Sequence, residues 1–359
     1  MAQQRMQQTP GQPGSSDSSE RSQAVIGLAL MQEQFPITQL VDLGVQAEQA
    51  GFASVWADDH FEPWQDNQGH CSLAWVTLAA LGQRTQRILM GTGVTCPSYR
   101  YRPQIVAQAF ASLGLLYPGR VFLGVGAGEA VNEIPGGGGW GAYEERAARL
   151  EEAVTLIRQL WTGEWVRHQG RYYPVEQARL YDVPRPPVPP VPIYVAASGP
   201  KSMALAGKIG DGLISFTELT SQPALRQPFE QGARAAGKSP ASMPIVVVHL
   251  VVVGDRREAE RWAPLMRFAP KGHSYLDDPD PRSIQRRAEQ EVSLEQVYST
   301  WVVSEDPQAH VQALQQLIAG GVTHICVQSP QQDQAKVIKF YGEQVLPRLA
   351  PAPLVGSRR

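Results

Sequence analysis

Five short segments of this chain carry groups that can do chemistry, and each directly follows an apolar run. The densest is Asp58-Asp59-His60-Phe61-Glu62-Pro63-Trp64. An imidazole has an unperturbed pKa of about 6.5, and a neighbouring carboxylate can orient it, so His60 suits a general base. The competing reading is that Asp59 caps a following helix and His60 is an ordinary surface residue. A metal site from Asp58, Asp59, His60 and His70 lacks a further His or Cys at ligand spacing. The second segment is Gly124-Val125-Gly126-Ala127-Gly128-Glu129, with Asn132 and Glu133 just beyond. Alternate glycines let a flat ring or a phosphate approach the backbone, though the spacing is not a dinucleotide-binding fingerprint. Gly91-Thr92-Gly93-Val94 is similarly permissive. Ala196-Ala197-Ser198-Gly199-Pro200-Lys201 leads into a helix whose first amides, with Lys201, could meet a phosphate. The fifth segment is Gln32-Glu33-Gln34-Phe35. Convergence of five such segments argues for one site.

The elements that would gather them follow from periodicity. Eight nearly continuous apolar runs read as parallel strands: Val25 to Leu30, Ser54 to Ala57, Ile88 to Val94, Val121 to Val125, Ile193 to Ala197, Gly212 to Phe216, Ile245 to Val253 and His324 to Gln328. Helical spacing fills the gaps, as in Ile37 to Ala50, Leu73 to Gly82, Gln104 to Leu116 and Ala148 to Trp161. Eight strand-then-helix repeats predict an α/β fold, a closed (β/α)8 TIM barrel, whose chemistry sits on the loops after the strands. Two insertions interrupt the repeat. Residues 164–192, after the fourth strand, predict short strands Trp165 to His168 and Arg171 to Pro174 about Gln169-Gly170, then extended polyproline-like backbone over Pro184 to Pro192. Residues 255–304, after the seventh, predict helical pieces at Arg256 to Phe268 and Ser283 to Gln290, long enough to form a lid over the site.

Composition narrows the partners. A chain of 359 residues with 18% charged residues and a net charge of -2 lacks the basic footprint of nucleic-acid or anionic-membrane binding. Its longest apolar run, Ile245 to Val253, is interrupted by His249 and far too short to span a bilayer. Three scattered cysteines without a Cys-x-x-Cys pair fit a reducing cytoplasm. Residues 1–23, rich in Gln, Ser, Gly and Pro, read as a disordered tail. That leaves a single barrel domain over 24–350 and a C-terminal tail over 351–359.

Several motifs together resemble the luciferase-like monooxygenase superfamily. They are Glu33-Gln34-Phe35, Asp59 through Trp64, Gly91 through Val94, Arg100-Tyr101-Arg102-Pro103, Leu116 through Gly126, and Gly128-Glu129-Ala130 with Asn132-Glu133. More narrowly they are similar to its coenzyme F420-dependent glucose-6-phosphate and hydroxymycolic acid dehydrogenases. The resemblance implies a barrel holding a deazaflavin whose C5 accepts a hydride from an alcohol or sugar lactol carbon. It implies His60 as the base for the hydroxyl proton, Trp64 beside the substrate, Glu129 as proton donor to the reduced ring, and Glu33 lining the substrate pocket. Asp59, Gly93, Val94, Gly126, Ala127, Gly128, Asn132, Ala196, Ala197, Ser198 and Gly199 would contact the cofactor, with a cis Gly93-Val94 peptide behind the ring. A homodimer is typical of such enzymes. Chemically, removing a hydride from an alcohol leaves a protonated carbonyl unless a base takes the hydroxyl proton in the same step.

The departures concern substrate. Where sugar-phosphate members hold phosphate with Thr, two Lys and an Arg, this chain has Phe216, Leu219, Gly272 and Thr300. A phosphate without cationic partners would be severely desolvated, which favours a neutral alcohol or free sugar. A relocated phosphate site built from Lys271, His273, Arg267 or Arg282 is the alternative. Other readings are a flavin mononucleotide monooxygenase and a non-catalytic deazaflavin carrier. Neither accounts for His60, Trp64 and Glu129 occurring together.

Overall fold

A computed structural model describes residues 24–349; the two expected tails, 1–23 and 351–359, lie outside the described residues. Eight parallel strands close on themselves: β1 (Val25–Leu30), β2 (Ser54–Ala57), β3 (Leu89–Thr92), β4 (Val121–Val125), β5 (Ile193–Ala196), β6 (Gly212–Phe216), β7 (Ile245–Val253) and β8 (His324–Gln328). Each pairs with the next, and β8 returns to β1, matching Val25 to His324 and Val327 to Leu28. The expected (β/α)8 barrel is the observed one.

Side-chain size fills the barrel's interior. Trp56 and Phe122, from β2 and β4, lie 4.2 Å apart between ring centroids, and Phe122 stacks on Tyr194 of β5 at 5.5 Å. Tyr194 in turn meets His324 of β8, three strands further on, which is possible only through the inside. Intervening strands offer glycines where these rings lie. A Cβ on Gly91 would come within 2.3 Å of Phe122, and one on Gly212 within 2.8 Å of Tyr194. Outside, the helix Ile37–Ala50 buries Leu40, Val41, Leu43, Gly44 and Ala47 and ends at Gly51, whose φ of 95° suits glycine.

Boundaries moved where polar chemistry outweighs periodicity. The fourth predicted helix begins earlier, at Tyr143, because Glu144 and Glu145 fit its first turn. The helix predicted from Arg256 stops at Trp262 and gives way to a 3-10 turn containing Pro264. The hairpin pairs Val166–His168 with Val175–Ala178 rather than with Arg171 to Pro174. Those residues are drawn aside because the Glu152 carboxylate accepts from the Tyr172 and Tyr173 amides, and the Tyr173 hydroxyl donates to Ser98 O at 2.6 Å. The run Pro184 to Pro192 is not uniformly extended: Val188 N donates to Arg185 O at 2.8 Å, closing a turn. A short strand, Val302–Ser304, pairs with the upper part of β7, which no periodicity announced. No helix among the described residues is long and apolar enough to cross a membrane.

Two histidines on the barrel strands, His249 buried and His324 half-buried, give stability a pH dependence. Burial pulls His249, on β7, and His324, on β8, down to about 4. An unfolded histidine titrates near 6.5, so this stabilisation is complete above about pH 6.5 and is lost as pH falls towards 4, amounting to about 3 kcal/mol per residue at most. The difference in Tm between wild type and His249→Leu is expected to shift in favour of the variant from pH 7 to pH 5. A pH-independent difference would remove His249 from the acid response.

Candidate active site

All five segments meet at the carboxyl ends of the strands. Glu33, just past β1, is 4% exposed, and its Oε1 lies 3.1 Å from His60 Nδ1 in the loop after β2. The two atoms are close without forming a hydrogen bond, and Nδ1 has no other partner. Burial, assisted by the Arg100 charge, pulls His60 down to about 3, so the ring is neutral at neutral pH. Burial pushes Glu33 the other way, up to about 7. Trp64 meets the His60 ring edge-on at 5.9 Å.

The loop after β4 completes the group. Burial raises the Glu129 carboxyl above its usual range, against the opposing hydrogen bond that Asn132 Nδ2 donates to it at 3.4 Å. Asn132 also accepts from the Phe61 and Glu62 amides at 2.7 and 3.3 Å, which ties the Glu129 loop to the His60 loop. Gly128 has a φ of 79°, and a Cβ there would lie 2.7 Å from Cys96 Sγ. A Cβ on Gly126 would lie 2.7 Å from Val94 and 3.7 Å from Ala196, so glycine is what lets the ends of β3, β4 and β5 approach this closely. Ala127 follows directly, and the Gly93–Val94 peptide is cis.

Asp59 lies beneath the cluster. It is 2% exposed and accepts from Thr95 Oγ1, Tyr101 Oη and Arg100 Nη2. Its carboxylate therefore braces the loops after β2 and β3. Glu133 accepts from the Arg100 amide at 2.7 Å and belongs to the same brace. After β5, the Ser198 and Gly199 amides both donate to Ser202 Oγ, and Ala197 O accepts from Ser215 Oγ.

The insertion after β7 lies over the group. Phe268 stacks on Trp64 with centroids 5.0 Å apart and planes 9° apart. Gln65 latches it in both directions, donating to Pro264 O at 3.1 Å and accepting from the Phe268 amide at 2.8 Å. His273 lies 3.3 Å from Ser198 Oγ, and the Ala130 amide donates to Leu276 O. Phe268 was not singled out from sequence; its only signal was an aromatic residue at the end of an expected lid helix.

Residues read from sequence as substrate-lining divide. Phe216, at the end of β6, is 55% exposed, whereas Leu219 is buried in the main core and Thr300 is exposed beyond the helix Leu294–Tyr298. Lys271 pairs with Glu291 and Arg282 with Asp280, while Arg267 donates to Glu289 O.

The luciferase-like monooxygenase model matches residues 19–324. The chain belongs to that family. Within it, the chain is 46% identical over 336 residues to an F420-dependent hydroxymycolic acid dehydrogenase of Mycobacterium tuberculosis, covering 94% of this chain and 91% of that one. It is 43% identical to an F420-dependent glucose-6-phosphate dehydrogenase of Nakamurella multipartita, covering 88% and 94%. Among solved structures, an F420-dependent secondary alcohol dehydrogenase in complex with an F420-acetone adduct superposes with a TM-score of 0.83 at 32% identity, covering 90% of this chain and 98% of that chain.

Proposed function

We propose that this chain is an F420-dependent dehydrogenase that oxidises the CH–OH group of a neutral alcohol or unphosphorylated sugar. The observation that carries the reading is a neutral histidine, little exposed, lying against a carboxyl group at the mouth of the barrel, with a second carboxyl raised by burial on the loop bonded to it. The dehydrogenase names of the relatives support it. The residues present would suit a deazaflavin: the loops after β3, β4 and β5 present only the small groups of Gly93, Val94, Gly126 and Ala196, against which a flat ring would lie, and Glu129 offers a carboxyl that burial holds towards its protonated form. When bound, the cofactor supplies a hydride acceptor.

The rest is done by this chain's own residues. His60 takes the hydroxyl proton as the carbon loses its hydride, and Glu33 stabilises the imidazolium that results. Glu129, held towards its protonated form, keeps a proton available beside the His60 loop. Trp64 and Phe268 form an apolar wall that excludes water and orients the substrate carbon. Removing the stack should therefore weaken substrate binding more than chemistry. Phe268→Ala is expected to raise KM roughly 3- to 10-fold, the range of one aromatic pair, with kcat little changed; steady-state kinetics showing an unaltered KM would remove Phe268 from the pocket.

Three free thiols, Cys71, Cys96 and Cys326, support a reducing cytoplasm. Exposed Val76, Ile105, Leu115 and Leu116 on the helices Ala74–Arg84 and Pro103–Leu116 support assembly as a homodimer. The decisive experiment is an anaerobic screen of sugar phosphates, free sugars and simple alcohols, following loss of oxidised-deazaflavin absorbance. Tight flavin mononucleotide binding with no deazaflavin binding would overturn the reading.

A further inference from the structure

The loop after β3 does two jobs. Arg100 and Tyr101 bond the Asp59 carboxylate, whereas Ser98, Tyr99 and Arg102 line a cavity of about 350 Å³. A second cavity, of about 700 Å³, shares Arg102 and continues past Gln104 and Arg171. None of Glu33, His60, Trp64 or Glu129 lines either one. The walls carry donors that the chain leaves unused. In the first cavity a run of glycines presents bare backbone, since a Cβ on Gly138 would lie 2.7 Å from Tyr99 Cβ. The Gly139 and Trp140 amides that follow donate to no acceptor among the described residues. Ser98 is 3% exposed, and its hydroxyl has only the weakly accepting Cys96 thiol beside it. Glu145 is the one carboxylate on either wall, and its Oε1 is already taken by Arg149 Nε at 2.8 Å and the Tyr99 hydroxyl at 3.4 Å.

The shared residue is the least satisfied of all. The Arg102 guanidinium makes no ion pair, hydrogen bond or ring contact among the described residues. Arg102 is also the N-cap of the helix Pro103–Leu116, whose first turn has neither a side-chain cap nor an acidic residue. Pro103 has no N–H, so the Gln104 amide is the first donor at that end, and it has no acceptor within the helix. Arg171, on the wall of the second cavity, touches only the Tyr172 ring, at 5.2 Å. Against these donors stands one unpartnered side-chain acceptor, Gln104 Oε1. Two guanidinium groups without carboxylates, the positive end of a 14-residue helix and two unused amides make a positive recess on a chain of net charge -2. We propose that the two cavities form one binding site for a small polyanion carrying at least two phosphate or carboxylate groups. One acid group would lie at the Gly139 and Trp140 amides and another at the first turn of the helix, with Arg102 between them.

Calorimetric titration of the cofactor-free protein with tripolyphosphate tests this. One tripolyphosphate should bind per chain. Arg102→Ala and Arg171→Ala should each weaken it by about tenfold or more, the loss of one charge-assisted contact. Both side chains are exposed, so neither substitution disturbs the core. Arg282→Ala, which removes a cation of the lid that is paired with Asp280, should stay within about twofold and serves as the control for general surface charge. Inorganic phosphate, which reaches only one of the two positions, should bind about tenfold more weakly than tripolyphosphate. Absence of saturable binding, or losses in Arg102→Ala and Arg171→Ala no greater than in Arg282→Ala, would overturn the proposal. Repeating the titration on protein saturated with coenzyme F420 identifies the source of the anion. Displacement of tripolyphosphate would mean that acid groups of the cofactor occupy the site, and unchanged binding that a separate polyanion does. The readout is binding alone, so the result stands or falls independently of the dehydrogenase reading.

Discussion

His60→Ala is expected to lower turnover by about 10²-fold or more while cofactor affinity changes only a few-fold, as for loss of a general base. The size follows from the ring's environment. His60 is almost wholly neutral at pH 7 because burial disfavours its charged form, so nearly every molecule is competent to accept a proton. Glu33 alongside offsets the cost of the imidazolium as it forms. Activity should therefore rise with pH through the Glu33 ionisation near 7 rather than through that of an ordinary histidine. Glu129→Gln should show a comparable loss, since the amide keeps the contact with Asn132 but has no proton to give. Unchanged turnover in both variants would remove them from the mechanism. A loss of cofactor binding equal to the loss of turnover would reassign them to holding the cofactor.

A neutral alcohol or free sugar should be oxidised with higher kcat/KM than glucose 6-phosphate, and inorganic phosphate should inhibit only weakly. Charge-assisted contacts contribute roughly 1.5 to 3 kcal/mol each, so absence of three cations weakens a phosphorylated substrate by about 10³-fold or more. Of the groups that could replace them, Lys271 faces Glu291, Arg282 faces Asp280, Arg267 donates to Glu289 O and His273 lies at Ser198 Oγ. Phe216 instead offers an exposed apolar surface at the end of β6. Apolar substrate surface buried there gains about 25 cal/mol per Å². A clear preference for the phosphorylated sugar in side-by-side kinetics would sink this expectation, and Lys271→Ala and Arg282→Ala would then locate the relocated phosphate site.

The barrel was legible because parallel strands buried on both faces leave continuous apolar runs, and β1, β2, β4, β6, β7 and β8 begin and end where those runs do. Glu33, His60 and Glu129 were legible as strand-end residues, since a closed barrel brings such ends together whatever their separation in sequence. What escaped depends on long-range capture. Nothing local says that Glu152 will take the Tyr172 and Tyr173 amides and shift a hairpin, or that Phe268 will stack on a tryptophan 204 positions earlier (268 − 64). The substrate wall was the least legible, because Leu219 and Thr300 were placed by register alone, and one lies in the core while the other is exposed.

The Gln65 latch bears on how such an enzyme can diverge. Its partners in the lid are a carbonyl and an amide, Pro264 O and Phe268 N, so it holds main chain rather than side chains. Mutations at most positions between 267 and 300 leave both contacts intact. A lineage can therefore change side chains on the inner surface of its lid while these two main-chain contacts persist. Substrate preference can thus drift on the lid's inner face while one of its anchors, read by backbone alone, is inherited unchanged.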